Sequence, residues 1–136
     1  MILFICTGNT CRSPMAAAFA EKMGLSAHSA GLSPYPGAPA TKEACLAAQR
    51  RGCDLSGHRA KAVTVDMLHE AEKIYAMTES HARMLRMLSP ENAGKIFVLS
   101  PPVPDPFGGS DADYEICAQK IQQGLREIIL SERRYL

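Results

Sequence analysis

Short apolar runs alternate along the chain with longer segments in which apolar residues recur at helical spacing. The run at residues 2–5 has the length and β-branched character of a central parallel strand, and residues 14–23 have the apolar stripe of a packed helix. Thr64 and Ser110 are predicted to cap the helices that follow them. The same patterns predict the remaining elements: strands at residues 28–31, 73–77 and 95–99, and helices at residues 41–51, 65–71, 80–88 and 111–131.

This order of elements predicts one domain over residues 1–136. The expected architecture is an α/β fold with a doubly wound, four-stranded parallel sheet and helices on both faces. The first strand would then be central in the sheet, and its carboxyl end would face the binding crevice.

The first strand leads directly into residues 6–14, Cys-Thr-Gly-Asn-Thr-Cys-Arg-Ser-Pro. Ser13 as an N-cap and Pro14 in the first turn open the next helix, so residues 7–12 must turn between strand and helix. Gly8 and Asn9 suit such a turn because both tolerate positive φ. Its backbone N–H groups, together with the positive end of the helix, predict a cradle for a phosphoryl dianion.

Cys6 lies at the floor of this predicted cradle, where the same field should stabilise a thiolate nucleophile. Arg12 can donate two hydrogen bonds to phosphoryl oxygens, and Ser13 can donate its hydroxyl to the sulfur. Taken alone, the pair Cys-x5-Arg favours a plain structural interpretation, a buried thiol at the end of a strand and a solvated arginine. The preceding strand, the turn residues and Ser-Pro together favour the cradle, and the Gly-x4-Gly-Lys-Ser/Thr motif of ATP-binding loops is missing.

The segment resembles the active-site loop of the low molecular weight protein phosphatases, whose signature is Cys-x5-Arg-Ser-Pro. Later family landmarks are matched in order at residues 29–31, 54–60, 76–80 and 105–107. The resemblance implies a cysteine-dependent phosphatase that forms a phosphocysteine intermediate, acts on phosphorylated proteins and needs neither cofactor nor metal.

Asp105 is the candidate general acid that such chemistry needs for its leaving group. By itself, Asp-Pro after a proline-rich stretch is typical of a turn. The resemblance implies instead that this loop covers the cradle, with Asp105 donating a proton in the first step and accepting one from water in the second. Phe107 would line the substrate slot.

The resemblance also assigns the supporting residues. Substrate contacts are expected from Thr7, Gly8, Asn9, Thr10, Cys11, Ser13 and Phe107. Ser29 and His58 resemble the polar residues that hold the loop from behind, although on the residues alone they could simply satisfy local backbone groups. The other histidines, His28, His69 and His81, are expected at the surface or at strand ends. Packing roles are expected for Cys45, Cys53, Cys117, Met77, Met84 and Met87.

Thr10 is the residue that indicates which phosphorylated amino acid is the substrate. The family's tyrosine-directed members typically have Ile or Leu at this position, whereas the protein-arginine phosphatases have Thr, in a loop that this chain matches letter for letter. Gly108 and Gly109 also resemble the arginine-directed branch and thin the aromatic rim that would stack on phosphotyrosine. The sequence therefore predicts a protein-arginine phosphatase, with a protein-tyrosine phosphatase as the alternative.

Two further classes can be compared with these. Arsenate reduction on the same fold requires two more cysteines roughly seventy to eighty residues after the first, as the family comparison implies, and residues 78–88 contain none. A non-catalytic phosphate-binding module would need neither Cys6 nor Asp105. Cys11 is either an inert packed thiol or the partner of Cys6 in a reversible disulfide formed under peroxide.

Composition and charge indicate which partners and which cellular location to expect. The net charge is +1 with both signs interspersed, which favours neither nucleic acid nor a membrane surface as partner. The opening apolar run is too short for a signal peptide or a membrane span. The five cysteines form no Cys-x2-Cys pair and are expected as free thiols. A monomeric, cytoplasmic enzyme is the expectation.

Overall fold

The computed structural model describes residues 1–133, so the last three residues of the predicted domain lie outside the described residues. Four strands are present: β1 (Ile2–Cys6), β2 (Ala27–Gly31), β3 (Lys73–Ala76) and β4 (Ile96–Val98). The α-helices are α1 (Arg12–Lys22), α2 (Lys42–Arg50), α3 (Val65–Glu70), α4 (Glu79–Leu88) and α5 (Asp111–Arg133). A 3₁₀ helix at Pro90–Lys95 separates α4 from β4.

The strands form one parallel sheet in the order β2-β1-β3-β4. All five residues of β1 are buried, as expected for a central strand. Phe4, Tyr75 and Phe97 are register partners across three strands, and their ring centroids lie 6.0 Å and 5.6 Å apart. Such same-face aromatic pairs stabilise neighbouring strands. The predicted four-stranded parallel sheet is confirmed.

Helices cover both faces of the sheet. Because side chains alternate along a strand, Phe4 belongs to the apolar cluster built with α1, α2 and α5, whereas Leu3 and Ile5 belong to the cluster built with α3 and α4. This arrangement confirms the doubly wound fold. It also leaves the carboxyl end of β1 between two layers of helices.

The start of α1 differs from the prediction. The helix begins at Arg12, its N-cap is Cys11 without a side-chain cap, and Ser13 lies inside the first turn. Ser13 is not the N-cap because its hydroxyl contacts Cys6 instead. The first N–H groups of α1 are therefore left without a capping side chain.

The other predicted caps are present. Thr64 accepts a hydrogen bond from the backbone N–H of Met67 at 3.1 Å, and Ser110 and Asp113 exchange hydrogen bonds at the start of α5. The 3₁₀ helix was not predicted, and it shortens β4 by taking up Lys95.

The predicted packing role fails for two methionines of α4. Met77 is fully buried, but Met84 and Met87 are 54% and 81% exposed. The buried residues of α4 are His81, Ala82 and Leu85, which lie on one helix face, so residues 84 and 87 point to the opposite side. Among the cysteines with predicted packing roles, Cys117 is buried and Cys45 and Cys53 are half-buried.

Candidate active site

The segment between β1 and α1 forms an open loop at the carboxyl end of the central strand. Its backbone N–H groups at residues 7–12 donate no hydrogen bond to any other group within residues 1–133. Backbone donors without a partner are uncommon away from water and are typical of anion-binding loops. Together with the uncapped start of α1, they form a cradle for an anion.

A cavity of about 180 Å³ lies over this loop. It brings together most of the site residues that the sequence predicted, from both ends of the chain. Its lining consists of Cys6, Thr7, Gly8, Thr10, Cys11, Arg12, Asp105 and Phe107.

Asn9 fixes the shape of the loop from behind. Its φ is +56°, a left-handed conformation that asparagine tolerates better than most residues. Its side-chain nitrogen donates to the hydroxyls of Ser13 and Ser29 at 2.9 Å and 3.0 Å, and its side-chain oxygen accepts from the backbone N–H of Lys61 at 3.0 Å. His58 Nε2 donates to the Asn9 carbonyl at 2.6 Å. The structure thus joins Ser29 and His58 to the back of the loop.

Gly31, at the end of β2, lets the loop approach the sheet. A Cβ atom at this position would lie 2.7 Å from the Thr7 carbonyl oxygen and 3.1 Å from the Asn9 Cβ. The neighbouring Leu32 N–H donates to the Cys6 carbonyl at 3.0 Å, and Ser33 N–H donates to the Thr7 carbonyl at 2.9 Å. Only glycine fits without a shift of the loop backbone.

The Cys6 thiol is buried and lies 2.9 Å from the Ser13 hydroxyl. The Asn9 side-chain nitrogen can only donate, so Ser13 Oγ accepts from it and keeps its own proton free. That proton can go to Cys6 Sγ or to the Ala30 carbonyl, which is farther away at 3.5 Å. Donation to sulfur is the arrangement that stabilises a thiolate.

Arg12 connects the loop to the segment that carries the candidate acid. Its side chain is 4% exposed, its Nη1 donates to the Val103 carbonyl at 3.0 Å, and its Nη2 lies 3.9 Å from Asp105 Oδ2. Val103 N–H in turn donates to the Met77 carbonyl at 2.8 Å, next to the end of β3. A single guanidinium thus joins residues 91 positions apart.

Asp105 and Phe107 lie at the mouth of the cavity. Asp105 Oδ1 accepts from the Phe107 backbone N–H at 3.0 Å, which makes a local turn, and its side chain is 55% exposed. Phe107 is 72% exposed, so its ring stands at the rim of the slot. Both residues line the cavity over the loop, and their roles in catalysis and substrate binding stay predictions.

His81 is the site residue that sequence reasoning missed, since it was expected at the surface. It is buried, its Nε2 lies 2.8 Å from Thr7 Oγ1, and its Nδ1 lies 3.0 Å from Thr78 Oγ1. Burial and the positive charge of Arg12 lower the pKa of His81 to about 4, against a smaller opposite effect of Asp105. The ring is therefore neutral near pH 7. The available signal was the pattern Thr-x-x-His directly after β3. His28 and His69 are exposed, as expected.

Cys11 has a different environment from Cys6. Its Sγ lies 3.4 Å from the Tyr114 hydroxyl and 3.6 Å from Thr41 Oγ1. Burial is the main cause that raises the pKa of Tyr114, so its phenol stays protonated. Cys11 thus packs against α5 and the start of α2.

Residues 1–133 contain no cluster of three or more His, Cys, Asp or Glu side chains that could hold a metal ion. In the same part of the chain, no helix is both long and apolar enough to cross a membrane.

The chain belongs to the low molecular weight phosphotyrosine protein phosphatase family, whose model matches residues 1–134. It is thus a cysteine-based phosphatase of that family, whose substrates are phosphorylated proteins.

Similar proteins include both substrate classes. A protein-arginine-phosphatase of Geobacillus stearothermophilus is 34% identical over 131 residues, which cover 89% of this chain and 88% of the relative. A low molecular weight protein-tyrosine-phosphatase of Acinetobacter johnsonii is 34% identical over 127 residues and 89% of each chain. The solved structure of the YwlE arginine phosphatase from Geobacillus stearothermophilus superposes with a TM-score of 0.93 at 30% identity, covering 98% of this chain and 93% of that one.

Proposed function

We propose that this chain is a protein-arginine phosphatase that hydrolyses phosphoarginine in proteins through a phosphocysteine intermediate. The catalytic residues are Cys6, Arg12 and Asp105. The observation that carries the assignment is the position of Thr10, which lines the same cavity as these three residues and presents a small, hydroxyl-bearing wall to the substrate.

In the first step, the Cys6 sulfur attacks phosphorus and forms an S–P bond while the P–N bond to the guanidino nitrogen breaks. The departing nitrogen takes the electron pair of that bond and a proton from Asp105. The unpartnered N–H groups of residues 7–12 and the Arg12 guanidinium stabilise the charge that spreads over the phosphoryl oxygens.

In the second step, a water oxygen attacks the phosphocysteine and the P–S bond breaks. Asp105, now a carboxylate, accepts the proton of the water, and the sulfur leaves as a thiolate. Ser13 Oγ, 2.9 Å from the sulfur, stabilises that leaving thiolate by donating a hydrogen bond to it while keeping its proton. The products are inorganic phosphate and the enzyme in its starting state.

The wall of the slot favours a guanidinium over an aryl ring. Thr10 is half-buried, and within residues 1–133 its hydroxyl has one hydrogen-bonding partner, the Cys11 sulfur at 3.8 Å. Its hydroxyl is thus available to a flat, polar leaving group, whereas an aryl ring packs better on an apolar wall. Gly108 and Gly109 add no aromatic surface at the rim.

Phosphotyrosine is the second candidate, and one observation favours it. Phe107 is exposed beside the slot, where its ring could stack on a tyrosyl ring. Both candidates use the same catalytic residues, so only relative specificity separates them.

The test compares kcat/KM for a phosphoarginine protein and a phosphotyrosine protein in the wild type and in Thr10→Ile. We expect the wild type to prefer phosphoarginine. The substitution should reduce that preference by roughly ten- to two-hundred-fold, because a hydroxyl is lost and an ethyl group enters the slot. Ile is β-branched like Thr, so the loop backbone should be little disturbed.

Two variants serve as controls. Thr10→Val removes the hydroxyl without added bulk and separates the polar contribution from the steric one. Cys6→Ser should hydrolyse neither substrate while still binding phosphate, since the cradle remains and the nucleophile is weakened. A wild type that prefers phosphotyrosine, or an unchanged ratio in Thr10→Ile, would leave the tyrosine-phosphatase assignment.

A further inference from the structure

The cradle is held on two sides by different groups. On the β2 side, Asn9 makes the contacts described above. On the β3 side, the contact of the loop is with His81, whose ring lies between Thr7 in the loop and Thr78 at the start of α4. The roles of Asn9 and its partners do not account for this second contact, since none of them touches Thr7 Oγ1.

We infer that His81 is a positioning residue that orients the Thr7 hydroxyl as a hydrogen-bond donor to the phosphoryl group. Thr7 is exposed and lines the cavity next to Cys6. Within residues 1–133 its hydroxyl has no hydrogen-bond partner other than His81. The inference rests on the proposed phosphoryl transfer at Cys6, but not on the choice between phosphoarginine and phosphotyrosine.

The direction of the hydrogen bonds follows from Thr78. Its hydroxyl oxygen caps α4 by accepting from the His81 backbone N–H at 3.4 Å. Its own proton can go to His81 Nδ1 at 3.0 Å or to Ser80 Oγ at 3.1 Å. The Ser80 hydroxyl can itself act as the donor to Thr78, whereas an imidazole nitrogen that carries no proton can only accept, so the Thr78 proton is assigned to His81 Nδ1. A neutral imidazole that accepts at Nδ1 carries its proton on Nε2. His81 Nε2 then donates to Thr7 Oγ1, and Thr7 keeps its proton for another acceptor.

A bound phosphoryl group favours this same direction. In the reverse arrangement, Thr7 would donate to His81 and turn only lone pairs toward a dianion, which is repulsive. The ring must also be neutral, because a protonated imidazole would lose its acceptor at Nδ1. The charged groups that act on the ring are Arg12, which disfavours protonation, and Asp105, which favours it less strongly.

The test replaces His81 by Gln and by Asn, because each of these side-chain amides reproduces one of the two imidazole nitrogens. In Gln the amide nitrogen is as many bonds from Cβ as His Nε2, so His81→Gln can still donate to Thr7. In Asn the amide matches Nδ1, so His81→Asn keeps the contact with Thr78 and loses the one with Thr7. The measurements are kcat/KM for an aryl phosphate and the Kd of vanadate, so neither depends on arginine specificity.

We expect His81→Asn to weaken vanadate binding and kcat/KM about tenfold, as for one lost hydrogen bond to a charged group. His81→Gln should stay within about threefold of the wild type. Thr7→Val should show a loss similar to that of His81→Asn, and the double variant His81→Asn/Thr7→Val should be no worse than Thr7→Val alone.

If His81→Asn lowers kcat/KM by the same factor in the wild type and in Thr7→Val, the inference is wrong, because His81 would then act only through folding. Equal losses in the Asn and Gln variants would overturn it as well. If His81→Asn does not fold, Thr7→Ser against Thr7→Val decides the point, because serine retains the hydroxyl: equal losses would again contradict the role. A wild type inactive on the aryl phosphate would instead contradict the phosphatase chemistry itself.

Discussion

At the level of single side chains, the loop depends on polar groups that carry no charge. Asn9, Ser13 and Ser29 form a buried hydrogen-bonded group behind it, and His81 contacts its other side as a neutral ring. Arg12 and Asp105 are the charged groups that meet at the cavity. Because these supporting groups are neutral, the positive electrostatic potential of the cradle comes from its backbone N–H groups and from Arg12. A positive potential suits a dianionic ligand.

His81 makes folding stability depend on pH. Its pKa is about 4 in the folded chain against an ordinary value of 6.5, so the unfolded chain takes up the proton first as the pH falls. The corresponding contribution to the free energy of unfolding is about 3 kcal/mol in total; it is fully present above pH 6.5 and is lost by about pH 4. Urea unfolding of the wild type and of His81→Gln between these pH values checks it: the wild type should lose more stability. Parallel curves would contradict a buried neutral histidine.

Asp105→Asn should slow the enzyme according to the leaving group. A basic leaving group needs a proton donor, so its turnover should fall by about a hundredfold to ten-thousandfold, while an activated aryl phosphate should retain more activity. Phosphocysteine should accumulate, since no base activates water. Turnover of a series of aryl phosphates measures the effect, with Asp66→Asn on the exposed surface of α3 as the matched control. Equal losses across the series would assign Asp105 a structural role.

How well each of these residues can be predicted from sequence depends on how far away along the chain its partners lie. Cys6, Arg12 and Ser13 lie on one short loop, so their spacing alone indicates the chemistry. His81 contacts Thr7 across 74 residues, and the local pattern Thr-x-x-His indicates only its contact with Thr78. Asp105 is proposed as the general acid because the family landmark marks it, whereas its proline-rich surroundings by themselves indicate only a turn.

At the level of elements, the end of β2 supports the loop in addition to the loop's own residues. Gly31→Ala would bring a methyl group to 2.7 Å from the Thr7 carbonyl, so the loop backbone must shift. We expect a loss of about 1–3 kcal/mol in stability, as for other overpacked sites, and weaker phosphate binding.

Thermal unfolding and phosphate titration measure the two effects of Gly31→Ala. Gly94→Ala is the matched control, because nothing lies within 4 Å of the added atom there and its φ is not in the left-handed region. If Gly31→Ala and Gly94→Ala bind phosphate equally well, the close contact between the loop and the end of β2 does not determine the shape of the cradle.

Strands and helices were predictable where periodicity is strong, and their ends were less so. The start of α1 was placed too late because Ser-Pro has the usual pattern of an N-cap, whereas here the serine hydroxyl contacts a thiol. The 3₁₀ helix at Pro90–Lys95 has too few residues for a periodic signal. In α4, methionines at helical spacing resemble a buried stripe, but the neighbouring residues His81, Ala82 and Leu85 occupy the buried face.

At the level of the whole molecule, the sheet order β2-β1-β3-β4 places the cradle between two neighbouring strands and brings the segment after β4 over it. Arg12 connects these parts, because it donates to Val103 and lies near Asp105. The guanidinium thus couples the position of the candidate acid to the nucleophile loop.

Arg12→Lys should therefore have two effects. Turnover should fall by about a thousandfold or more, since an ammonium cannot form the bidentate contact with phosphoryl oxygens. Amide hydrogen exchange at Val103, Asp105 and residues 107–109 should become faster, because the contact of Arg12 with the Val103 carbonyl is lost. Arg83→Lys, on the exposed side of α4, is the matched control. A mild loss of turnover with unchanged exchange would mean that Arg12 only attracts the substrate.

The sparse contacts of Thr10 have a consequence for how such enzymes diverge. Asn9, Gly31, Ser29 and His58 shape the loop, whereas the hydrogen bonding of the Thr10 side chain within residues 1–133 is one long contact to the Cys11 sulfur at 3.8 Å. Its carbonyl, which accepts from the Thr41 N–H at 3.0 Å, is present whatever the side chain. Under the proposed assignment, the residue that distinguishes substrates is one whose side chain makes no short hydrogen bond to the rest of residues 1–133. A lineage can therefore exchange one phosphorylated amino acid for another by point mutation, with the nucleophile and its supports left intact.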